Sequence, residues 1–456
     1  MSVSEIPNAP SEPASRVPLS LNQEFLCIFD EGDDSGPFGP RYNIFYASRL
    51  RGKVHVDTLR AALHDVAERH EALRTLIVRD PEDRHQRILP SGPVELTLRD
   101  LSGVAPADRD RRAGELVNEI EAGSYSAREV PLLRAVLARF DDEDAVLVLI
   151  AHHTAADAWS MHVIMRDLAH SYAARRGRQV AALPEAPQYR DYTLWEQERA
   201  SSPALDRARG YWREKLRGAS ILTLPTDHPR SAGLAKTTGW HRFTLGPELS
   251  AATRRTAKAL RCSTFMVLFA ANNILLNRIT GVSDIVVPTF TTGRTQERFH
   301  TTVGSFFNFV PLRTDLTGCD SYQEAVRRTR ATCLEAYSHD IPFAQIAAEA
   351  PELMAPAAAD DRALFLFQVF QSPFGMAGEV VGDVEYAEVP RLVSQPVGGD
   401  IPDGSLCELN LTPSGEIIGT LGFNTNLWRA DTMAEWMTEF DSVLRAVVTT
   451  PDAPLR

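Results

Sequence analysis

Leu59, Leu63, Val66 and Ala67 recur at helical spacing behind Asp57, which predicts a helix over residues 56–68 with Asp57 as its N-cap. A turn at Arg69, His70, Glu71 and Ala72 leads into a β-branched run at 73–78 that reads as a strand. Residues 145–151, AVLVLIA, are apolar without interruption and bounded by charges, the pattern of a strand buried on both faces. Two histidines, His152 and His153, stand at its C-terminal end. Beyond a short turn, Met161, Ile164, Met165, Leu168 and Tyr172 fall at i, i+3, i+4, i+7 and i+11, a one-faced helix that stops at Gly177. The unit is strand, turn, helix, with the histidines at the turn.

The pattern weakens at 176–188, RGRQVAALPEAPQ, whose prolines and scarcity of large apolar residues mark a connection between two lobes. Helical stretches follow near 189–216 and 264–279, strands at 284–291 and 306–313, and a helix over 322–339. Strands at 364–371 and 417–424 and a closing helix over 432–448 complete the pattern, so both halves alternate strands with helices and read as α/β lobes. The expected organisation is a disordered lead-in over 1–17, an N-terminal lobe over 18–180 and a C-terminal lobe over 181–456.

Composition narrows the functions available. A net charge of −12 with no long Lys/Arg block leaves no footprint for nucleic acid. No apolar run has the roughly 18 residues of a membrane span, and the polar, proline-rich start is unlike a signal peptide, so a soluble cytoplasmic protein is expected. Five cysteines without a CxxC pair or matching histidine spacing predict reduced thiols rather than a zinc site or disulfide framework.

The candidate chemistry lies in HHTAADAWS. Neighbours on a strand face opposite ways, so His152 and His153 are poorly placed to share a metal, and no metal site is expected. One imidazole can enter a cavity while the other packs behind it, with Asp157 a short turn away to orient a ring or pair with a cation. A neutral imidazole near pH 7 can take a proton from an attacking amine or alcohol and return it to a leaving group, which is acyl-transfer chemistry. The competing readings are a satisfied structural histidine, and Asp157 or Ser160 acting only as a helix cap. No GxSxG elbow, Walker loop, GxGxxG or HExxH offers a rival chemistry.

HHTAADAWS resembles the HHxxxDG signature of nonribosomal peptide synthetase condensation domains, and DAWSM is similar to the DGWSM form of the subtype taking L-configured or achiral donors. RHEALRT at 69–75, LPTDHPR at 224–230, VGSFFNFVPLR at 303–313, SHDIPF at 338–343 and LFQV at 366–369 resemble further family segments in the family's order. SLNQEFL and the Tyr42-Asn43 pair resemble its opening motif, so the likeness runs from about Pro18 to about Pro451. The resemblance implies two chloramphenicol acetyltransferase-like lobes forming a V, a pseudo-dimer with a central tunnel that donor and acceptor enter from opposite faces. By motif position it makes His153 the proton-handling residue and His152 its structural neighbour, and it pairs Asp157 with Arg69. Trp159 and Asn308 become tunnel-lining positions, and Ser160 supports the turn. Ala158 replaces the signature glycine; were a positive φ needed there, the methyl would cost about 1 kcal/mol.

The function so implied is a free-standing condensation enzyme. It would move an aminoacyl or acyl group from the phosphopantetheine thioester of an acyl or peptidyl carrier protein to an amine or hydroxyl, forming an amide or ester, with no cofactor of its own. The acceptor would be a small molecule or carrier-tethered. The alternatives are an acyltransferase using acyl-coenzyme A, whose relatives carry a DFGWG-like segment lacking here, and a non-catalytic docking or recruitment module, a kind of relative in which the second histidine is usually eroded.

Overall fold

The computed structural model describes residues 15–199 and 203–455. Its first lobe is built on a six-stranded sheet in the order Ala377–Val381, Val384–Glu388, Asn43–Arg51, Asp144–His152, Leu133–Arg139, Glu95–Asp100, antiparallel except for the last pair. The apolar run at 145–151 occupies an inner strand, as its pattern predicts. Ala145, Leu147, Leu149 and Ala151 enter one core beneath the helices Val56–Arg69 and Ala158–Arg175. Val146, Val148 and Ile150 enter another beneath Arg109–Glu121. Period-2 alternation thus feeds two helical layers from one strand, and its end is carried to the lobe's rim, where Asn43 and His152 pair.

The second lobe has a five-stranded sheet in the order Thr223–Pro225, Arg362–Phe370, Ser405–Leu411, Ile417–Asn424, Thr238–Thr244. Gly246–Ala259, Thr264–Thr280 and Ala430–Thr449 contribute to its single large core. A separate hairpin-like pair, Asp284–Thr291 with Asn308–Asp315, carries between its strands the segment 292–307, which reaches the first lobe. Among the described residues no single helix is long and apolar enough to cross a membrane.

Several boundaries differ from expectation. The hairpin 377–388 belongs to the first lobe's sheet although it lies far beyond residue 180: Val384–Glu388 pairs with Asn43–Arg51, and Val384 and Tyr386 fill that lobe's core. Tyr189 and Tyr192, on Tyr189–Arg199, join the same core. A division at 180 therefore cuts through the first lobe. At the start of the chain, residues 1–14 lie outside the described residues, whereas Ser15–Val17 forms a strand against His85–Ile88 instead of extending the lead-in. Asp57 sits in the first turn of its helix, where a carboxylate complements the dipole, and His55 takes the cap position.

The lobes are joined away from the histidines by a buried charge cluster. Arg242 of the second sheet and Glu121 of Arg109–Glu121 are both buried and paired; Gln395 donates to the same carboxylate at 2.8 Å, and Arg391 lies 3.1 Å away. Removing one member of a buried pair leaves the other uncompensated, at a cost of about 3–5 kcal/mol. Glu121→Leu is expected to lower stability by about that amount in a chemical denaturation experiment, and an unchanged midpoint would show that this cluster does not bind the lobes.

Candidate active site

His152 ends the inner strand and is 1% exposed. Its Nε2 lies 3.1 Å from the Gly39 carbonyl, which can only accept, so Nε2 carries the proton and Nδ1 accepts from the Thr154 hydroxyl at 2.8 Å. Burial pushes its pKa down to about 4. The ring is neutral and saturated with partners. His153 differs because the chain has left the strand. Its backbone N–H donates to the Tyr42 carbonyl at 3.0 Å, and its ring stacks on Tyr42 with centroids 4.8 Å apart. Nδ1 lies 2.9 Å from the Ala156 carbonyl and must donate to it, which leaves the lone pair on Nε2. Burial lowers the pKa of this half-buried imidazole below its ordinary 6.5, partly opposed by the charge of Asp157. His153 is thus a neutral imidazole at pH 7 whose Nε2 has no hydrogen-bond partner among the described residues.

Asp157 caps the helix Ala158–Arg175 by accepting the Ser160 backbone N–H at 2.7 Å. The same carboxylate binds Arg294, through Oδ1 at 3.0 Å and through Oδ2, which also faces the Phe306 N–H at 3.3 Å. The Arg294 side chain is 0% exposed, lies over the Phe306 ring at 4.0 Å, and reaches the Ser160 hydroxyl and the Thr302 carbonyl. Ser160 Oγ donates to the Gly304 carbonyl at 2.9 Å and accepts its N–H at 3.1 Å, while the Trp159 indole donates to the His300 carbonyl at 2.7 Å. Residue 304 must be small, since a Cβ there would fall 2.1 Å from the Tyr189 ring. The histidine turn is therefore bolted to the second lobe's 294–304 segment by one ion pair and a set of short polar contacts.

This corrects the expected Asp157–Arg69 pair. Arg69 ends the helix Val56–Arg69 and meets Asp167, Nε to Oδ2 at 2.9 Å. Asp167 lies on the site helix about 15 Å beyond Asp157, at 1.5 Å rise per residue, too far for one guanidinium to serve both. Burial would raise the Asp167 carboxyl, but hydrogen bonds and charge from His70 and Arg166 hold it at about 2. Ala158 is the first residue of its helix, and Arg261 is the one non-glycine residue with positive φ among the described residues, so the methyl carries no backbone strain. Asn308 stands apart from the histidines. It accepts the Phe343 N–H at 3.0 Å and donates to Asp340 and the Ile341 carbonyl, holding one wall of a cavity of about 370 Å³. Phe25, Trp195, Phe307 and Phe343 share that lining, and His153 is not part of it. Sequence reasoning missed Arg294, which stands in TTGRTQ with no periodicity or motif of its own to single it out.

Two α/β lobes clamped across a histidine turn are the chloramphenicol acetyltransferase-like architecture of acyl-transfer proteins. Within it the chain belongs to the condensation-domain family, whose model, described as "Condensation domain", matches residues 15–456. It is 32% identical over 451 residues to one of the linear gramicidin synthase proteins of Brevibacillus parabrevis, covering 98% of this chain and 9% of that protein, so it spans under a tenth of this curated relative. Among solved structures, the SgcC5 protein from Streptomyces globisporus, in complex with (R)-(-)-1-(2-naphthyl)-1,2-ethanediol and sucrose, is 52% identical with a TM-score of 0.93, covering 96% of this chain and 100% of that one. The X-domain from teicoplanin biosynthesis is 28% identical with a TM-score of 0.74, covering 98% of both chains.

The contrast between the two arginines is testable. Arg294→Met strands Asp157 inside the interface and is expected to cost about 3–5 kcal/mol, whereas Arg69→Met leaves Asp167 its bonds to His70 and Arg166 and should cost about 1 kcal/mol. Equal melting temperatures for the two variants would contradict the assignment.

Proposed function

We propose that this chain is a free-standing condensation enzyme that transfers an acyl or aminoacyl group from a carrier-protein phosphopantetheine thioester to a hydroxyl acceptor, forming an ester. The single observation that carries the reading is the unused Nε2 of His153, held neutral and aimed by the Nδ1 bond to Ala156. In the reaction the acceptor oxygen forms a bond to the thioester carbonyl carbon as its proton passes to Nε2. Collapse of the tetrahedral intermediate breaks the C–S bond, and the proton leaves with the carrier thiol. No group is oxidised or reduced. His152 takes no part, because both its nitrogens are committed.

Three features support the finer parts. SgcC5 is covered along its full length by this chain and is named in complex with a vicinal diol, which favours a hydroxyl over an amine. The gramicidin synthase relative favours a carrier-tethered donor. Ala158, unstrained at the head of its helix, gives no reason for the turn to be inactive. A second reading, a recruitment module, has its own support in the solved complex of the teicoplanin X-domain with OxyB, at 27% identity. His153 discriminates between them, since a docking surface has no use for an open imidazole nitrogen.

Mass spectrometry of transfer from an aminoacyl-loaded carrier protein, with aminoacyl-coenzyme A offered in parallel and a vicinal diol as acceptor, tests the proposal. His153→Ala is expected to lower turnover by about 10²- to 10⁴-fold with little change in melting temperature, and His152→Ala to lose stability first. Undiminished transfer by His153→Ala, or transfer from coenzyme A alone, overturns the reading. The pH dependence has a definite sign. The base must be unprotonated and its pKa lies below the ordinary 6.5, so kcat/KM should stay flat above neutrality and fall only at lower pH. A decline that begins above pH 7 would contradict His153 as the base.

A further inference from the structure

The second lobe presents a carboxylate to the histidine turn that the chemistry above does not use. Ser405–Leu411 is an inner strand whose residues 405, 407 and 409 are buried, while Leu406, Glu408 and Asn410 occupy the other face and are half-buried. Parallel pairing sets Gln368 beside Glu408 and Phe370 beside Asn410. Phe370 stacks on His162, centroids 5.6 Å apart, and His162 lies one turn into the site helix from Ala158. This face of the second sheet therefore looks across at the helix that His153 precedes.

Glu408 is held in one orientation. Asn410 Nδ2 donates to Oε1 at 2.8 Å and Gln368 Nε2 donates to Oε2. Both donors are neutral amides, and no Arg, Lys or His forms an ion pair with Glu408 among the described residues, unlike the compensated Asp157, Asp167 and Glu121. An ionised carboxylate offers about four acceptor positions, of which the amides take two. The charge of Glu408 acts on the His153 ring, favouring its protonated form against the effect of burial. A second unsatisfied group stands in the facing wall: His162 is 7% exposed, and its Nδ1 is buried without a partner among the described residues. An oriented, uncompensated carboxylate opposite a base is suited to a ligand that brings hydrogen-bond donors.

We propose that Glu408, fixed by Gln368 and Asn410, is the acceptor-binding residue of this site and accepts the hydrogen of the non-reacting hydroxyl of a vicinal diol. The inference rests on the proposed transfer to a hydroxyl and adds the group that selects it. One hydroxyl of a 1,2-diol donates to a free acceptor position of Glu408 while the other, the attacking one, donates its hydrogen to Nε2 of His153; a mono-alcohol cannot make both bonds. Glu408 is a positioning and specificity residue; the proton still goes to His153.

The test is calorimetric titration of (R)-1-(2-naphthyl)-1,2-ethanediol and of 2-(2-naphthyl)ethanol, which lacks one hydroxyl, into the wild-type chain, Glu408→Gln and Glu408→Asp, with melting curves for each. The wild type is expected to prefer the diol by about tenfold or more, and Glu408→Gln to weaken diol binding by about 10- to 100-fold, the scale of lost charged hydrogen bonds, while leaving the mono-alcohol within a few-fold. Glu408→Asp keeps the charge beside the amides but retracts it, so it guards against misfolding of the Gln variant and should also lose the preference for the diol. Wild-type affinity for the diol in either folded variant, or no diol preference in the wild type, overturns the proposal. Carrier-dependent transfer to any other alcohol would leave the proposed function standing when binding fails, and its absence with every acceptor would sink that function separately.

Discussion

The geometry of the histidine turn depends on one buried ion pair, Asp157 with Arg294. Asp157 ends the turn and starts the helix behind it, and its carboxylate simultaneously receives a cap hydrogen bond from Ser160 and the guanidinium of a residue on the other lobe. Burying two charges is expensive, and such a pair contributes little net stability compared with apolar packing. Its value here is directional. The guanidinium is itself fixed over Phe306 and bonded to Ser160 and Thr302, so the turn has one low-energy position relative to the second lobe.

The two adjacent imidazoles differ through that constraint. His152 is still within the sheet and finds partners for both nitrogens, one from the opening segment at Gly39 and one from Thr154. His153 stands where the chain turns toward the Asp157 cap, so the carbonyl of Ala156 comes back beneath its Nδ1 while Nε2 stays unbonded. Burial disfavours the imidazolium, Asp157 and Glu408 oppose that only in part, and the result is a base that is free to accept a proton near neutral pH. Across from it, Glu408 is held by two neutral amides and forms no ion pair among the described residues, unlike Asp157, Asp167 and Glu121.

Much of this was legible in the chain. The uninterrupted run at 145–151 identified an inner strand, and the 3.6-residue period after it identified the site helix, because both are buried on faces that only apolar residues can fill. The strands at 284–291 and 417–424 were read to the residue. What escaped were pairings between segments distant in sequence. Arg69 and Arg294 are equally plausible partners for Asp157 on charge alone, and only the rise along the helix decides between them. The hairpin at 377–388 joins the first lobe through main-chain hydrogen bonds, which carry no side-chain signature. Glu408 interrupts its strand's apolar pattern, a visible anomaly, but what it faces depends on how the lobes are set against each other.

The proposed transfer depends on the protonation of a single nitrogen, which nitrogen-15 NMR of imidazole-labelled protein can observe directly. His153 should be neutral at pH 7, with its proton on Nδ1 and an unprotonated Nε2, and should titrate below 6.5. A proton on Nε2 in the neutral ring, or an imidazolium persisting at pH 7, would contradict it.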